Sequence, residues 1–196
     1  MVAMSDSVVS RRSDRVRVMA PAAEVVFQTH PVTADRFCEL YAPAVCRFAA
    51  MAARTNGEAD DIAQESLLKA VRGLDRFDPR RGSMEAWLWR IVANVASDQQ
   101  RAERRRLALW TRLIRFRDDP VASVESTAVE RLDNARLFEA LRGLGPRDRT
   151  LLALRFGADL DFGAVGAAAG MSEATAGTAV RRALEKLRAH LEVNRS

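Results

Sequence analysis

Apolar residues recur at three- and four-residue steps through most of the chain beyond about residue 33, and nowhere do they alternate at a period of two. The pattern predicts helices and no strands. Phe37, Leu40, Tyr41, Val45, Phe48 and Met51 share one face of a first helix, with Thr33 as its N-cap. A second helix spans about 58–74, where Ile62, Ala63, Leu67, Ala70, Val71 and Leu74 fall in one arc at ~100° per residue. The turn formers Asp78, Pro79 and Gly82 lead into a third helix from about Ser83 to Arg106, with a core stripe of Met84, Trp87, Leu88, Ile91, Val92 and Val95. Asp118, Asp119 and Pro120 then break the periodicity. Four further helices follow at about 128–142, 147–156, 162–169 and 173–192. Gly143, Gly145 and Pro146 punctuate the first joint and Gly157 stops the next helix, while Asp161 caps the third, Gly170 ends it and Ser172 caps the last.

The expected fold is all-α, with two small helical domains joined by a flexible linker. A length of 196 residues suits this division, and 48% apolar content is enough for two small cores. Residues 1–30 read by composition as a poorly ordered extension, 31–106 as the first domain, 107–127 as the linker and 128–196 as the second domain. No apolar run approaches the ~20 residues that span a bilayer. The first residues also lack the apolar core of a signal peptide, so a cytoplasmic chain without membrane insertion is expected. Cys38 and Cys46 lie eight positions apart on one helix, ~12 Å along its axis. They cannot form a disulfide with each other and are expected to be buried as small apolar residues. With only His30 and His190 as histidines, no zinc site is in prospect, and no metal or other cofactor is expected.

Charge adds a partner class. The net charge is +5 with a pI near 10.1, and all the basic residues except Lys69 and Lys186 are arginines. This composition favours a polyanionic partner, and equally suits a GC-rich coding bias. The distribution is more telling than the total. The second helix turns Asp61, Gln64 and Glu65 outward with an apolar Leu68 among them, the arrangement of an apolar contact ringed by polar groups at a protein interface. On the third helix Arg90, Asn94 and Arg101 share an arc of ~40°, with Ser97 and Arg104 beside them. Guanidinium and carboxamide groups on one face suit phosphate oxygens and base edges. Phe77 and Trp89 lie outside the core stripe, placed to stack on unpaired bases, with core packing an equal alternative for Phe77. The pair 161–170 and 173–191 has the lengths of a helix-turn-helix. Its second helix places Ala176, Val180, Ala183, Leu184 and Leu187 inward, and Thr175, Thr178, Arg181, Arg182 and Glu185 outward.

Taken in order, FCELYAPAV, DDIAQESLLKA, RFDPRRG, AWLWRIVANVASDQQRAERRR, LRGLGPRDRTLLALRFGADL and GMSEATAGTAVRRALEKLRAHL resemble the sigma-70 superfamily of bacterial transcription initiation factors, in its compact extracytoplasmic-function (ECF) form, over about 36–191. The resemblance implies a sigma region 2 bundle of three or four helices and a region 4 helix-turn-helix. By it, Asp61, Gln64, Glu65 and Leu68 fall where such factors dock on the largest subunit of core RNA polymerase, the linker runs through the enzyme near the RNA exit path, and the second-largest subunit is a further implied partner. Phe77, Arg80, Arg81, Arg90, Asn94, Arg101 and Arg104 fall where the minus-ten promoter element is read and its non-template single strand is captured by base flipping, driven by binding free energy rather than ATP. Ser172, Glu173, Thr175, Thr178, Arg181 and Arg182 fall where duplex DNA at the minus-thirty-five element is read. An anti-sigma factor is a further implied partner. The chain departs from the family at Gly177 and Ala179, where Lys or Arg is common.

The expected function is therefore a non-catalytic sigma factor that directs core polymerase to promoters and assists melting. The last helix pair taken alone permits an alternative, a self-sufficient helix-turn-helix regulator. An enzyme is not expected, since the chain has no P-loop, no glycine-rich nucleotide fingerprint and no HExxH.

Overall fold

A computed structural model describes residues 33–113 and 128–193, with side-chain environments for 33–106 and 135–192. The expected extension (1–30) and most of the expected linker lie outside the described residues. Among those described, every regular element is helical.

The first helix, α1 (Ala34–Ala52), starts where Thr33 Oγ1 accepts from the Arg36 amide at 3.3 Å. It buries Phe37, Tyr41, Val45, Phe48, Ala49 and Ala52. Leu40 and Met51, expected in this stripe, are 38% exposed and half-buried respectively, because the core contact rotates toward Ala49 and Ala52 near the C-terminus. Cys38 is half-buried and Cys46 exposed, both as free thiols, so burial was the wrong expectation for Cys46, which lies on the solvent side of α1.

Helix α2 (Asn56–Gly73) begins two residues before the expected start. Thr55 Oγ1 accepts from the Glu58 amide at 3.1 Å, and Glu58 Oε2 reaches back to the Arg54 amide at 2.7 Å. This reciprocal box satisfies amides that the first helical turn cannot pair internally. Ile62, Ser66 and Ala70 form its buried line, flanked by half-buried Ala63, Leu67 and Val71. Two 3-10 turns, 74–76 and 79–81, lead to Ser83, whose hydroxyl accepts from Ala86.

Helix α3 (Met84–Leu113) runs past Arg106, so residues 107–113, expected to begin the linker, are helical. Leu88, Val92 and Val95 are buried as the stripe requires. A second line, Trp89, Ala93, Ala96 and Gln100, is buried as well. Trp89 is 3% exposed with its ring 6.0 Å from that of Phe48, which rules out the base-stacking role considered for it.

The C-terminal helices are α4 (Ala128–Gly143), α5 (Pro146–Leu152), α6 (Phe162–Ala169) and α7 (Glu173–Val193). A π-helical turn over 153–157 continues α5. Pro146 occupies the first turn of α5, where its missing N–H is not needed. Leu141, Leu144, Leu151, Leu152, Val165, Ala176, Val180, Ala183 and Leu187 fill the core between these helices. Each large aliphatic side chain so buried contributes about 1.5–3 kcal/mol. Helix α1 also packs on α5 and the π turn, and α3 on α5 and α6, so the helices from Thr33 onward make one compact body.

Tyr41 is the chain's single tyrosine, 6% exposed, and its hydroxyl has no hydrogen-bond partner among the described residues. Burial, with a smaller contribution from Glu85, pushes its pKa up to about 12. The folded state thus favours the neutral phenol, and the stability this confers is complete below the unfolded-chain value near 10 and is lost as pH rises toward 12. Absorbance at 295 nm should therefore show no tyrosinate while the helical circular dichroism signal persists at pH 10.5, and an ionised tyrosine in the folded protein at that pH would contradict the burial.

Candidate functional site

One candidate site is a groove along α2. Asp61, Gln64, Glu65 and Leu68 line it together with Lys69, Arg72 and Gln99. Leu68 is 49% exposed in a helix otherwise apolar only on its buried side. Glu65 is held from two directions: Oε1 lies 2.7 Å from Lys69 Nζ, and Oε2 accepts from Gln99 Nε2 of α3 at 3.0 Å. The Lys69 and Gln99 hydrogen bonds hold its carboxyl below the usual carboxylate range. Because the carboxylate stays at the surface, the pair is worth little to stability. What it provides is a fixed anionic position beside Leu68. Gln99 escaped sequence reasoning because it comes from a different helix, whereas Lys69 lies four residues beyond Glu65, the spacing of a helical ion pair.

The second surface is on α3. Arg90, Asn94, Ser97, Arg101 and Arg104 line one cleft of about 670 Å³, so the face expected from the helical wheel exists as a continuous wall. All but Ser97 are exposed. Arg101 is paired with Asp98 at 3.2 Å, an exposed contact that an incoming phosphate can replace at little cost. Arg80 and Arg81 are exposed in the second 3-10 turn, fixed by Asp78 Oδ1 accepting from the Arg80 amide at 3.0 Å. Phe77 is half-buried with its ring 5.6 Å from Trp87, so it packs against α3.

The third is the α6–α7 corner. Asp161 Oδ1 accepts from the Ala164 amide at 2.7 Å, and Gly170 closes α6 at φ 68°, ψ 38°, the left-handed conformation that glycine adopts without strain. Ser172 Oγ accepts from the Thr175 amide at 3.3 Å and lies 2.8 Å from Thr175 Oγ1. Ser172, Glu173, Thr175, Thr178, Arg181 and Arg182 are all exposed on the outer side of α7. Three of their polar groups are already engaged locally: Thr175 with Ser172, Thr178 Oγ1 donating to Ala174 O at 3.0 Å, and Arg181 Nε donating to Gly177 O at 3.4 Å. Beside Gly177 lies the Phe162 ring, 3.8 Å from where a Cβ would stand. Arg155 sits between Phe156 and Phe162, 5.6 and 5.5 Å from their ring centres, and neither aromatic was singled out by the sequence. Among the described residues no cluster of His, Cys, Asp or Glu could hold a metal, and no helix is long and apolar enough to cross a membrane.

The comparisons with known proteins fall on these same segments. Residues 37–106 match the family model for sigma-70 region 2, and residues 140–189 match that for sigma-70, region 4. The ECF RNA polymerase sigma factor BldN of Streptomyces coelicolor is 29% identical over 178 residues, which is 89% of this chain but 66% of that longer relative. RNA polymerase sigma factor CarQ of Myxococcus xanthus is 31% identical over 160 residues, covering 79% of this chain and 88% of its own length. Among solved structures, the sigma factor RpoE in complex with the anti-sigma factor NepR from Bartonella quintana has the same fold, with a TM-score of 0.64 at 23% identity over 81% of this chain and 96% of that one. CnrH in complex with the cytosolic domain of CnrY matches with a TM-score of 0.57 at 25% identity over 82% of this chain and 88% of that one.

The α6–α7 corner carries its own test. A Cβ on Gly166 would lie 2.7 Å from the Met171 carbonyl oxygen, a backbone atom of the turn itself. Gly166→Ala should therefore destabilise the protein by about 1–3 kcal/mol, the usual cost of overpacking. Urea unfolding followed by circular dichroism measures this, and an unchanged midpoint would show that the turn yields freely.

Proposed function

Because this chain belongs to the sigma-70 family, as an ECF-type sigma factor, we propose that it acts as a dissociable polymerase subunit whose region 2 binds core enzyme through the α2 groove and promoter DNA through the α3 face. The observation that carries this reading is the joint geometry of those two surfaces. Glu65 is immobilised by Lys69 and Gln99 beside exposed Leu68, while the Arg90, Asn94, Arg101 and Arg104 wall lies elsewhere on the helix that supplies Gln99. One helix thus connects a protein-binding groove to a phosphate-binding wall.

In this reading the docking partner is basic and apolar on the matching surface, since Asp61 and Glu65 carry negative charge around Leu68. That surface is a helix of the largest polymerase subunit, and the second-largest subunit is a further partner. Arg90, Arg101 and Arg104 hold backbone phosphates and Asn94 reads a base edge of the minus-ten element. Arg80 and Arg81, with Phe77, border the pocket for the flipped non-template base. Region 4 places Ser172, Glu173, Thr175, Thr178, Arg181 and Arg182 toward the minus-thirty-five duplex. With Gly177 and Ala179 in place of basic residues, its contribution is weighted to phosphate contact by Arg181 and Arg182, and region 2 carries more of the sequence discrimination. The work is cytoplasmic, needs no cofactor and catalyses no reaction. An anti-sigma factor is the expected regulator, in keeping with the RpoE complex with NepR that shares this fold. A self-sufficient helix-turn-helix regulator leaves the α2 groove and the region 2 match over 37–106 without a purpose, and is not favoured.

Run-off transcription with cognate core polymerase and genomic promoter fragments tests the whole reading, with specific transcripts expected only when the protein is added. Asp61→Arg and Leu68→Glu, both at exposed positions, should each weaken core association about 30-fold or more, as loss of a 2 kcal/mol hot spot does, with helical content unchanged. Arg90→Ala with Asn94→Ala should lower transcription while leaving core association intact. Undiminished core binding by both groove variants would remove α2 as the docking face.

A further inference from the structure

The positive charge of the chain gathers around two adjoining spaces. Arg90, Arg101, Arg104 and Arg147 line the cleft of about 670 Å³, and among the described residues no Asp or Glu lines it. Beside it lies a pocket of about 300 Å³ lined by Arg54, Arg104, Arg142 and Arg149, together with the carboxylates Glu58 and Glu103. Gln100, Arg104 and Pro146 border both spaces. Among the described residues, seven arginines thus face two carboxylates, a local excess of five charges that equals the net charge of the whole chain. A coding bias toward arginine would scatter these charges, whereas the fold collects them.

The two carboxylates are already engaged. Glu58 Oε2 accepts from the Arg54 amide at 2.7 Å, and Glu103 Oε2 lies 2.7 Å from Arg106, which does not line the pocket. Arg149 is 1% exposed, and its Nε and Nη1 donate to the carbonyls of Ala52 and Leu144 at 2.9 and 2.7 Å. Its Nη2 bonds to no acceptor among the described residues, which leaves two N–H donors of a buried cation unanswered. Neutral carbonyls offset its desolvation only in part, whereas a phosphate oxygen would add a charge-assisted bond. Arg90, Arg104 and Arg147 also have no ion-pair partner among the described residues, and Arg101 has only the exposed Asp98.

Elsewhere the cleft has the reverse polarity. It is bordered by the C-terminal end of α6, where the carbonyls of Ala167, Ala168 and Ala169 take no backbone hydrogen bond among the described residues, while Gly166 O accepts from the Gly170 and Met171 amides. Ala93, Leu151 and Met171 add apolar surface. A ligand suited to this space is anionic at one end, flat and apolar in its body, and N–H-donating at the other end. We propose that the cleft and its side pocket bind a nucleoside di- or triphosphate whose base carries an exocyclic amine, with the phosphates held by Arg104, Arg147 and Arg149 and the base set against the end of α6. A space of about 670 Å³ is the size of small-molecule sites in general. One consequence rests on the promoter reading of α3. Arg90, Arg101 and Arg104 cannot hold a nucleotide and the minus-ten phosphates together, so the nucleotide competes with promoter DNA.

Calorimetric titration of the free full chain tests the site without polymerase or DNA. GTP and ATP should each bind one-to-one, about tenfold or more tightly than inorganic tripolyphosphate, which lacks the ring, and than AMP, which lacks the second phosphate. Arg147→Glu reverses a charge at an exposed position outside the α2 groove and the promoter wall. It should weaken nucleotide binding about tenfold or more, as loss of a charge-assisted contact does, with helical content retained and run-off transcription undiminished. Ala167→Leu, also at an exposed position, should weaken GTP while leaving tripolyphosphate unaffected. Retention of a promoter fragment by the holoenzyme should fall as GDP is added to the parent and hold steady for Arg147→Glu. No saturable nucleotide binding, tripolyphosphate bound as tightly as GTP, or full nucleotide affinity in Arg147→Glu would each overturn the site, and promoter retention indifferent to GDP would overturn the competition. Saturable nucleotide binding by a parent that yields no specific transcripts would leave the site standing and sink the promoter reading instead.

Discussion

Helix α3 must satisfy two cores at once, and the remaining surfaces follow from how it does so. Leu88, Val92 and Val95 are buried along one line of α3, and Trp89, Ala93, Ala96 and Gln100 along a second, which meets Phe48 of α1 through Trp89 and Thr150 of α5 through Gln100. A helix buried on two sides has only a narrow arc left for solvent. On α3 that arc carries Arg90, Asn94, Arg101 and Arg104, with Gln99 turned toward the α2 groove. Small residues decide the geometry. Ala93 shares a cleft with Ala167 and Ala168 of α6 and adds little bulk there, while polar links from Gln100 and Arg149 complete the junction.

Much of this was legible in the residues because large side chains announce their period. Phe37, Tyr41, Val45 and Phe48 place α1, and Ala176, Val180, Ala183 and Leu187 place α7. Asp161, Gly170 and Ser172 mark the corner between α6 and α7 by capping chemistry that is local and hence readable. What failed to show has a common cause, namely contact between segments far apart in the chain. The alanines of the second α3 line carry almost no hydrophobic signal, and Trp89 then reads as an outlier when it is in fact the line's anchor against Phe48. Arg149 is the sharper case. Nothing local distinguishes it from Arg147, which is exposed two residues earlier; its burial depends on the Ala52 carbonyl, 97 positions away. The candidate site was legible in the same measure: the four groove residues and the α3 wall lie on single helices, whereas Gln99, which fixes Glu65, does not.

Arginine therefore does three different jobs in one fold, and environment alone assigns them. On α3 it stays hydrated and exchangeable, as at Arg101 with Asp98. At Arg155 it is flanked by two aromatic rings, Phe156 and Phe162, that remain partly open to solvent. At Arg149 it is withdrawn from water, and its pKa is pushed down by burial, raised by Glu58 and lowered again by Arg54 and Arg104. Guanidinium tolerates this treatment because it keeps its charge across the physiological range and offers several donors in a fixed plane, so three carbonyls can share it. Lysine, with a more strongly hydrated point charge, would lose more on burial and return less.

The same accounting bears on region 4. Its recognition helix lacks side chains at Gly177 and Ala179 that would extend far into a groove, and the Phe162 ring lies against the vacant position at Gly177. Several of its outward polar groups are satisfied within the helix. A helix with few groups seeking partners gains little from a polar ligand. The surface with groups to spare is region 2: an exposed Leu68, a fixed Glu65 and an arginine wall on α3. The proposed docking of the α2 groove therefore rests on the surface where the most unsatisfied chemistry remains.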